Sequence, residues 1–192
     1  QATTDDDEDV RLTAVQELVC GFKDEPDTLT VLKQAITDDY WRVRGIATIQ
    51  LVYNFKDDPD ILTILKQATT DDDEDVRNTA VEELAHNFKD DPDTLTILKK
   101  ATTDDYKYVR STAVEQLARN FKDDPDTLTI LKQATTDNDS DVRCAALQEL
   151  ARNFKDDPDI LTILKQATTD NNKYVQGTAK RCLKRLQQRN NK

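Results

Sequence analysis

Methionine is missing from this chain, and tryptophan and histidine occur once each, as Trp41 and His86. Each scarcity removes a class of chemistry. The three glycines stand far apart (Gly21, Gly45, Gly177), so no Gly-x-x-x-x-Gly-Lys loop exists to cradle phosphates. The only serines, Ser111 and Ser140, lie outside any Gly-x-Ser-x-Gly elbow. His86 has no cysteine, serine or carboxylate companion recurring at a catalytic spacing, so an exposed surface position is its default. Cys20, Cys144 and Cys182 are odd in number and show no Cys-x-x-Cys spacing, which excludes a disulfide framework or a zinc site. A reducing, cytoplasmic compartment is expected. No apolar run is long enough to span a bilayer, and no signal-peptide pattern opens the chain. Without an initiating methionine, the chain is expected to begin inside a longer natural protein.

The acidic runs Asp5-x-Asp7-x-Asp9 and Asp137-x-Asp139-x-Asp141 invite a calcium reading. An EF-hand loop requires a glycine next and a bidentate glutamate at its twelfth position. These runs continue into Val-Arg and reach Gln16 or Gln148 instead, so they read as helix caps. No metal, no cofactor and no intrinsic enzyme activity are expected.

What the chain has in abundance is negative charge and repetition. Net charge is −11, which argues against a general nucleic-acid or anionic-membrane surface. The last twenty residues, from Lys173, hold seven Lys/Arg and no acid, leaving −18 on the preceding 172 (20 basic against 38 acidic). A unit of 33 residues recurs six times, opening at Gln1, Gln34, Gln67, Lys100, Gln133 and Gln166. A fixed period of this size signals supersecondary units that bury a core only against their neighbours. The whole chain, 1–192, is therefore read as one repeat domain, with 166–192 as a C-terminal cap.

Each unit predicts two helices. The first opens at Asp58-Pro59-Asp60, with Asp58 as N-cap and Pro59 at N1, and buries Ile61, Leu62, Ile64, Leu65 and Ala68. Thr69-Thr70-Asp71 ends it, because these side chains compete for backbone hydrogen bonds. The second helix starts in the acidic cluster and carries Val76, Ala80, Val81, Leu84 and Phe88. Phe22, Phe55, Phe88, Phe121 and Phe154 hold one position in five copies and are expected to form a core ladder. The first copy has only the tail of its first helix, so Val10, Val15 and Leu18 are expected to present an uncovered apolar side, open to a missing repeat or to a second copy of the chain.

The phrase Asp-x-Asp-x-x-Val-Arg-x-x-Ala-x-x-x-Leu, as at Asp71 to Leu84, resembles the HEAT-like repeats of the phycobilisome-lyase type. The resemblance covers the whole chain. It implies an all-α fold, a right-handed α-α superhelix of helix pairs whose second helices line the concave surface. It also implies a lateral ladder between repeats, here Asp5, Asp38, Asp71, Asp104, Asp137 and Asp170 with Arg11, Arg44, Arg77, Arg110 and Arg143. The sixth copy has Gln176 in place of the arginine. Its basic residues, Lys180, Arg181, Lys184, Arg185 and Arg189, suit a capping helix whose outer face meets water. A polyanion site is the rival explanation.

Differences between copies gather on the second helix. In copy three, Glu74, Asn78, Glu82 and His86 are four apart and form one stripe. Copy two reads Trp41, Gly45, Ile49 and Tyr53 there, with Tyr40 and Arg42 at the head and Ile46 beside it. Trp, Tyr and Arg dominate interface hot spots, and an isoleucine facing solvent at Ile49 would be poorly placed. Leu12 and Cys20 are expected on one side of this patch, Asn78 and His86 on the other. Tyr106, Tyr108, Glu115, Arg119 and Arg152 extend the candidate partner-binding stripe into later copies. Odd copies begin this helix with acids and even copies with aromatic and basic residues, as in Tyr106-Lys107-Tyr108, so acid–base contacts between repeats are expected. The alternation itself follows from duplication of a two-repeat block.

The expected role is a non-catalytic protein-binding or sensor segment. The Lys-Asp-Asp-Pro-Asp-Thr-Leu and Ala-Thr-Thr-Asp-Asp phrases are similar to arrays that follow NACHT-type NTPase domains in bacteria. Two alternatives stay open. One is a phycobilin-lyase-like accessory factor holding a tetrapyrrole near Trp41, Tyr53 and His86. The other is a structural or designed array with no partner.

Overall fold

The computed structural model describes residues 2–23 and 25–190, the side chains of 189 and 190 apart. Gln1, which opens the first copy, and the side chain of Arg189 lie outside them. Among the described residues the secondary structure is entirely helical. After a 3-10 turn at Ala2–Thr4 come α1 (Glu8–Phe22), α2 (Thr28–Ala35), α3 (Trp41–Phe55), α4 (Ile61–Ala68) and α5 (Glu74–Asn87). Then follow α6 (Pro92–Ala101), α7 (Lys107–Asn120), α8 (Thr127–Ala134), α9 (Ser140–Asn153), α10 (Ile160–Ala167) and α11 (Lys173–Asn190). Each 33-residue copy thus supplies a short first helix and a longer second one, and copy one only the second.

The chain divides into two compact units, residues 1–90 and 91–192. In the first, α1, α3 and α5 pack in succession as one layer, while α2 lies on α3 and α4 on α5. In the second, α7, α9 and α11 form the corresponding layer, backed by α6, α8 and α10. The core of each unit is aliphatic. Leu32, Leu51, Ile61, Leu65 and Leu84 are fully buried in the first, and Leu98, Leu117, Leu131, Leu150 and Leu164 in the second. Full burial of each such side chain stabilises by about 1.5–3 kcal/mol.

Loop chemistry sets where each second helix begins. In copy three, Asp71 Oδ1 accepts from the Asp73 N–H, and Asp73 Oδ1 then accepts from Asp75 and Val76 as the N-cap. Copies two and four place Tyr40 and Tyr106 at that N-cap, where no side-chain oxygen closes the helix end. The first helices are shorter than the spacing predicts. Asp58 Oδ1 does accept from the Asp60 N–H, but Ile61 N–H bonds back to Asp58 in a tighter turn, and α4 begins only at Ile61. Pro stands at the helix start only in α6, where Asp91 is the cap.

Two expectations about the core need correcting. The repeated phenylalanines are not a buried ladder: Phe22 is 57% exposed, and Phe55, Phe88, Phe121 and Phe154 are half-buried. Phe88, Phe121 and Phe154 are C-cap residues, standing where the backbone leaves the helix rather than on its buried face. Nor is the expected apolar side of α1 open throughout. Val15 is fully buried and Leu18 half-buried, because α2 and α3 pack on α1; only Val10 is exposed, at 40%.

Candidate functional site

The repeat-to-repeat frame has a fixed geometry. Arg44 Nη1 donates to the carbonyls of Asp38 and Asp39 in its own loop, while Nε and Nη2 fork onto Asp71 of the next copy at 2.9 and 2.6 Å. Arg11 grips Asp38, Arg110 grips Asp137 and Arg143 grips Asp170 in the same bidentate way. Arg77 donates to the carbonyls of Asp71 and Asp72. Asp104 stands at the same loop position in copy four, and its carbonyl accepts from Arg110. Asp5, in copy one, accepts from the Asp7 N–H. At the far end Gln176 keeps the backward bond, to the Asp170 carbonyl at 2.7 Å, and lacks the forward fork. Lys180, Arg181, Lys184 and Arg185 on α11 are exposed.

A second set of rungs escaped the sequence reading. Lys33 bridges Asp58 and Asp60, Lys99 bridges Asp124 and Asp126, and Lys132 bridges Asp157 and Asp159. The signal was present, since a lysine recurs at 33, 66, 99, 132 and 165. These contacts hold the carboxyls of Asp58, Asp124, Asp157 and Asp170 below the usual range, through the hydrogen bonds from Lys33, Lys99, Lys132 and Arg143. Burial pushes Asp71 and Asp137 up, but the hydrogen bonds from Arg44 and Arg110 and from the following backbone N–H more than offset it. Lys33, Lys99 and Lys132 are raised by their hydrogen bonds to aspartates.

Upon this frame, the first unit carries an open groove of about 310 Å³. Trp41, Arg42, Gly45, Ile46 and Ile49 of α3 form its floor, Leu12 and Gln16 of α1 one wall, and Asp75 and Thr79 of α5 the other. Its surface is mostly apolar. A Cβ on Gly45 would stand 3.9 Å from Val76 Cγ2, ordinary van der Waals distance, so the bare glycine leaves the floor open without being sterically required. The Arg42 guanidinium lies 5.2 Å from the Trp41 ring centroid, and Tyr40 meets the same ring edge-on at 6.2 Å. Thus Leu12, Trp41, Arg42 and Ile49 come together, with Tyr40 at the head.

The rest of the candidate stripe is placed elsewhere. Tyr53 is 74% exposed beyond the groove, and Glu82 and His86 are exposed on α5. Asn78 is half-buried, with its Oδ1 buried and without a hydrogen-bond partner. The expectation that Asn78 and His86 form the second wall is therefore corrected: Asp75 and Thr79, one position along the helix, do so. Cys20, expected beside Leu12, is exposed outside the groove, and Gln16 takes that place.

In the second unit the same helix faces are occupied by charge. Lys107 reaches Asp141 at 2.8 Å and Asp139 at 3.7 Å, an acid–base contact between neighbouring repeats. Tyr106 and Tyr108 meet edge to face at 5.3 Å, with Lys107 over the Tyr108 ring. Arg119 bridges Glu115 and the buried Glu149, and Arg152 and Asn153 also donate to Glu149.

Among the described residues no cluster of three or more His, Cys, Asp or Glu has a metal-holding arrangement, and no helix is long and apolar enough to cross a membrane. A family model described as HEAT repeats matches residues 1–85, 46–118 and 97–184. The chain belongs to the HEAT-repeat family. Among solved structures, this HEAT-repeat chain is similar to the X-ray structure of YibA from E. coli, at 21% identity and TM-score 0.69, over 93% of this chain and 66% of that one. An engineered protein matches at 21% identity and TM-score 0.57, over 97% and 94% of the two chains. A designed armadillo repeat protein in complex with the peptide (KR)4 matches at 18% identity and TM-score 0.60, over 88% and 84%. At these identities the likeness is one of fold. No curated protein matches the sequence.

Proposed function

We propose that this HEAT-repeat chain is a non-catalytic protein-binding scaffold, and that the Trp41 groove is its recognition surface. The observation that carries this reading is a coincidence of two patterns. The position at which the copies differ most, the Trp41-Gly45-Ile49 stripe of α3, is where the first unit opens an apolar hollow. Trp41 and Arg42 are side chains of the kind that dominate binding energy at protein interfaces. A neighbour of related fold solved with a (KR)4 peptide supports stacked helix pairs as a peptide-receiving surface. The similarity of the loop phrases to arrays behind NACHT-type NTPase domains supports a finer reading, as the sensor arm of a larger cytoplasmic bacterial signalling or defence protein with the second helices on the concave face. The exposed Val10 leaves self-association at the first repeat as a secondary contact. A lyase-like role gains less support, since Tyr53 and His86 are not among the groove's lining residues.

Affinity capture of partners, with Trp41→Ala and Gly45→Leu beside the wild-type chain, tests the reading. Trp41→Ala should weaken a bound partner by about 2 kcal/mol, and Gly45→Leu should block it by filling the hollow. Tyr53→Ala serves as a surface control. Partners retained equally by all four chains would refute the groove as the recognition surface.

A further inference from the structure

The groove also carries information about what it receives. Its volume of about 310 Å³ is at the small end of ligand sites, and it is open along its length, which suits anchor side chains of a polypeptide better than an enclosed small molecule. The floor of Gly45, Ile46 and Ile49, with Leu12 in the wall, takes an apolar group. Arg42 apart, the surrounding charge is negative. Asp75 stands in the wall, with Glu74 beside it and the exposed Glu82 further along α5. Glu8 precedes Leu12 by one turn on the same face of α1. Of the four arginines on α1, α3 and α5, Arg11, Arg44 and Arg77 donate to loop carbonyls at the helix starts. Arg42 is the one cation at the groove, and its guanidinium is spread over the Trp41 ring. An acidic residue arriving beside the anchor would therefore meet Asp75 in the wall and the acidic starts of α1 and α5, whereas a basic one would find opposite charge.

We infer that the Trp41 groove takes a peptide segment in which one apolar anchor side chain is flanked by lysine or arginine. This rests on the groove being the recognition surface proposed above. Asp75 and Glu8 are solvent-exposed and Glu74 half-buried, so their contribution is selectivity that falls with salt rather than bulk affinity.

Trp41 is the sole tryptophan, so its emission reports occupancy directly. Short synthetic peptides with a central leucine in a Gly/Ser/Gln background, flanked either by arginines or by glutamates, are titrated against the full chain. The arginine-flanked peptide should shift the emission with a Kd about tenfold lower than its glutamate-flanked counterpart. In Glu74→Gln/Asp75→Asn that advantage should shrink to about threefold or less, as it should in about 0.5 M salt. Gly45→Leu should remove binding of both peptides. Equal affinity for the two peptides would overturn the charge assignment and leave the groove standing. An arginine peptide lacking the leucine that binds as well as the complete one would overturn the anchor. No shift with either peptide would overturn the whole proposal. A shift that survives in Gly45→Leu would overturn the groove reading beneath it.

Discussion

The α3 face of the first unit and the α7 face of the second are the same stretch of helix in two chemistries. Position 41 is tryptophan and its counterpart 107 is lysine; Gly45 corresponds to Ser111, and Ile49 to Glu115. On α7 the lysine is tied to Asp141 of the next copy, and Glu115 belongs to the Arg119–Glu149 cluster. On α3 the partner aspartate is still there, as Asp75, but faces a tryptophan and a glycine across an apolar hollow. One backbone plan thus carries an ion-paired surface in one place and a receptive one in the other. Trp41, Gly45 and Ile49 stand at the centre of that difference, and the walls change with them, Leu12 to Asn78 and Gln16 to Glu82, while the Arg–Asp and Lys–Asp rungs recur in both units.

That comparison can be attacked at the shared frame first. Asp58, Asp71, Asp124, Asp137, Asp157 and Asp170 are held below the usual carboxylate range in the fold. Their stabilisation is complete above the unfolded value of about 3.9 and is lost as pH falls through the lower folded values. The Tm should stay level from about pH 7 to 5 and drop steeply below about 4. The raised Lys33, Lys99 and Lys132 act in the opposite sense, losing their contribution only as pH rises through values above about 10.4. A protein whose Tm is unchanged down to about pH 2.5 would show that the rungs contribute little.

Single rungs come next. Arg44→Ala leaves Asp71 and two loop carbonyls without their donor and should cost about 2–4 kcal/mol in chemical denaturation. Arg143→Ala, in the other unit, should cost a similar amount. Strongly unequal losses would mean that the frame is not common to the two faces. At the groove, Trp41→Ala should lose about 2 kcal/mol of partner affinity with little change in stability, separating recognition from folding. The smallest stability effect is expected from Trp41→Lys, which copies the α7 chemistry. The new lysine should pair with Asp75 as Lys107 pairs with Asp141, abolish peptide binding, and alter stability by no more than about 0.5–1 kcal/mol.

Much of this was legible in the residues because a solenoid repeats its errors and its signals alike. The period of 33 and the apolar spacing of Ile61, Leu65, Val76, Ala80 and Leu84 located both helices and their buried faces. Trp41, Gly45 and Ile49 marked the groove because they put apolar and small residues at positions that vary from copy to copy on an otherwise constant frame. Capping turns were harder to read. Phe88 is as apolar as a core residue, but it stands at the C-cap where the helix ends and is only half-buried. Pro59 suits a helix start, yet the tighter Asp58 turn delays the α-helix to Ile61. The second wall was misplaced for a geometric reason. Helix α3 meets α1 and α5 on different faces, so Leu12 and Gln16 on α1 are matched across the floor by Asp75 and Thr79 on α5. A count of one stripe on every helix points to Asn78 and His86 instead.

The most direct measurement is the affinity of the arginine-flanked leucine peptide for Gly45→Leu and for Ser111→Leu, equivalent substitutions on the two faces. Recognition at α3 alone predicts that Gly45→Leu abolishes the Trp41 emission shift while Ser111→Leu binds like the wild-type chain. Equal losses from the two, or none from either, would contradict it.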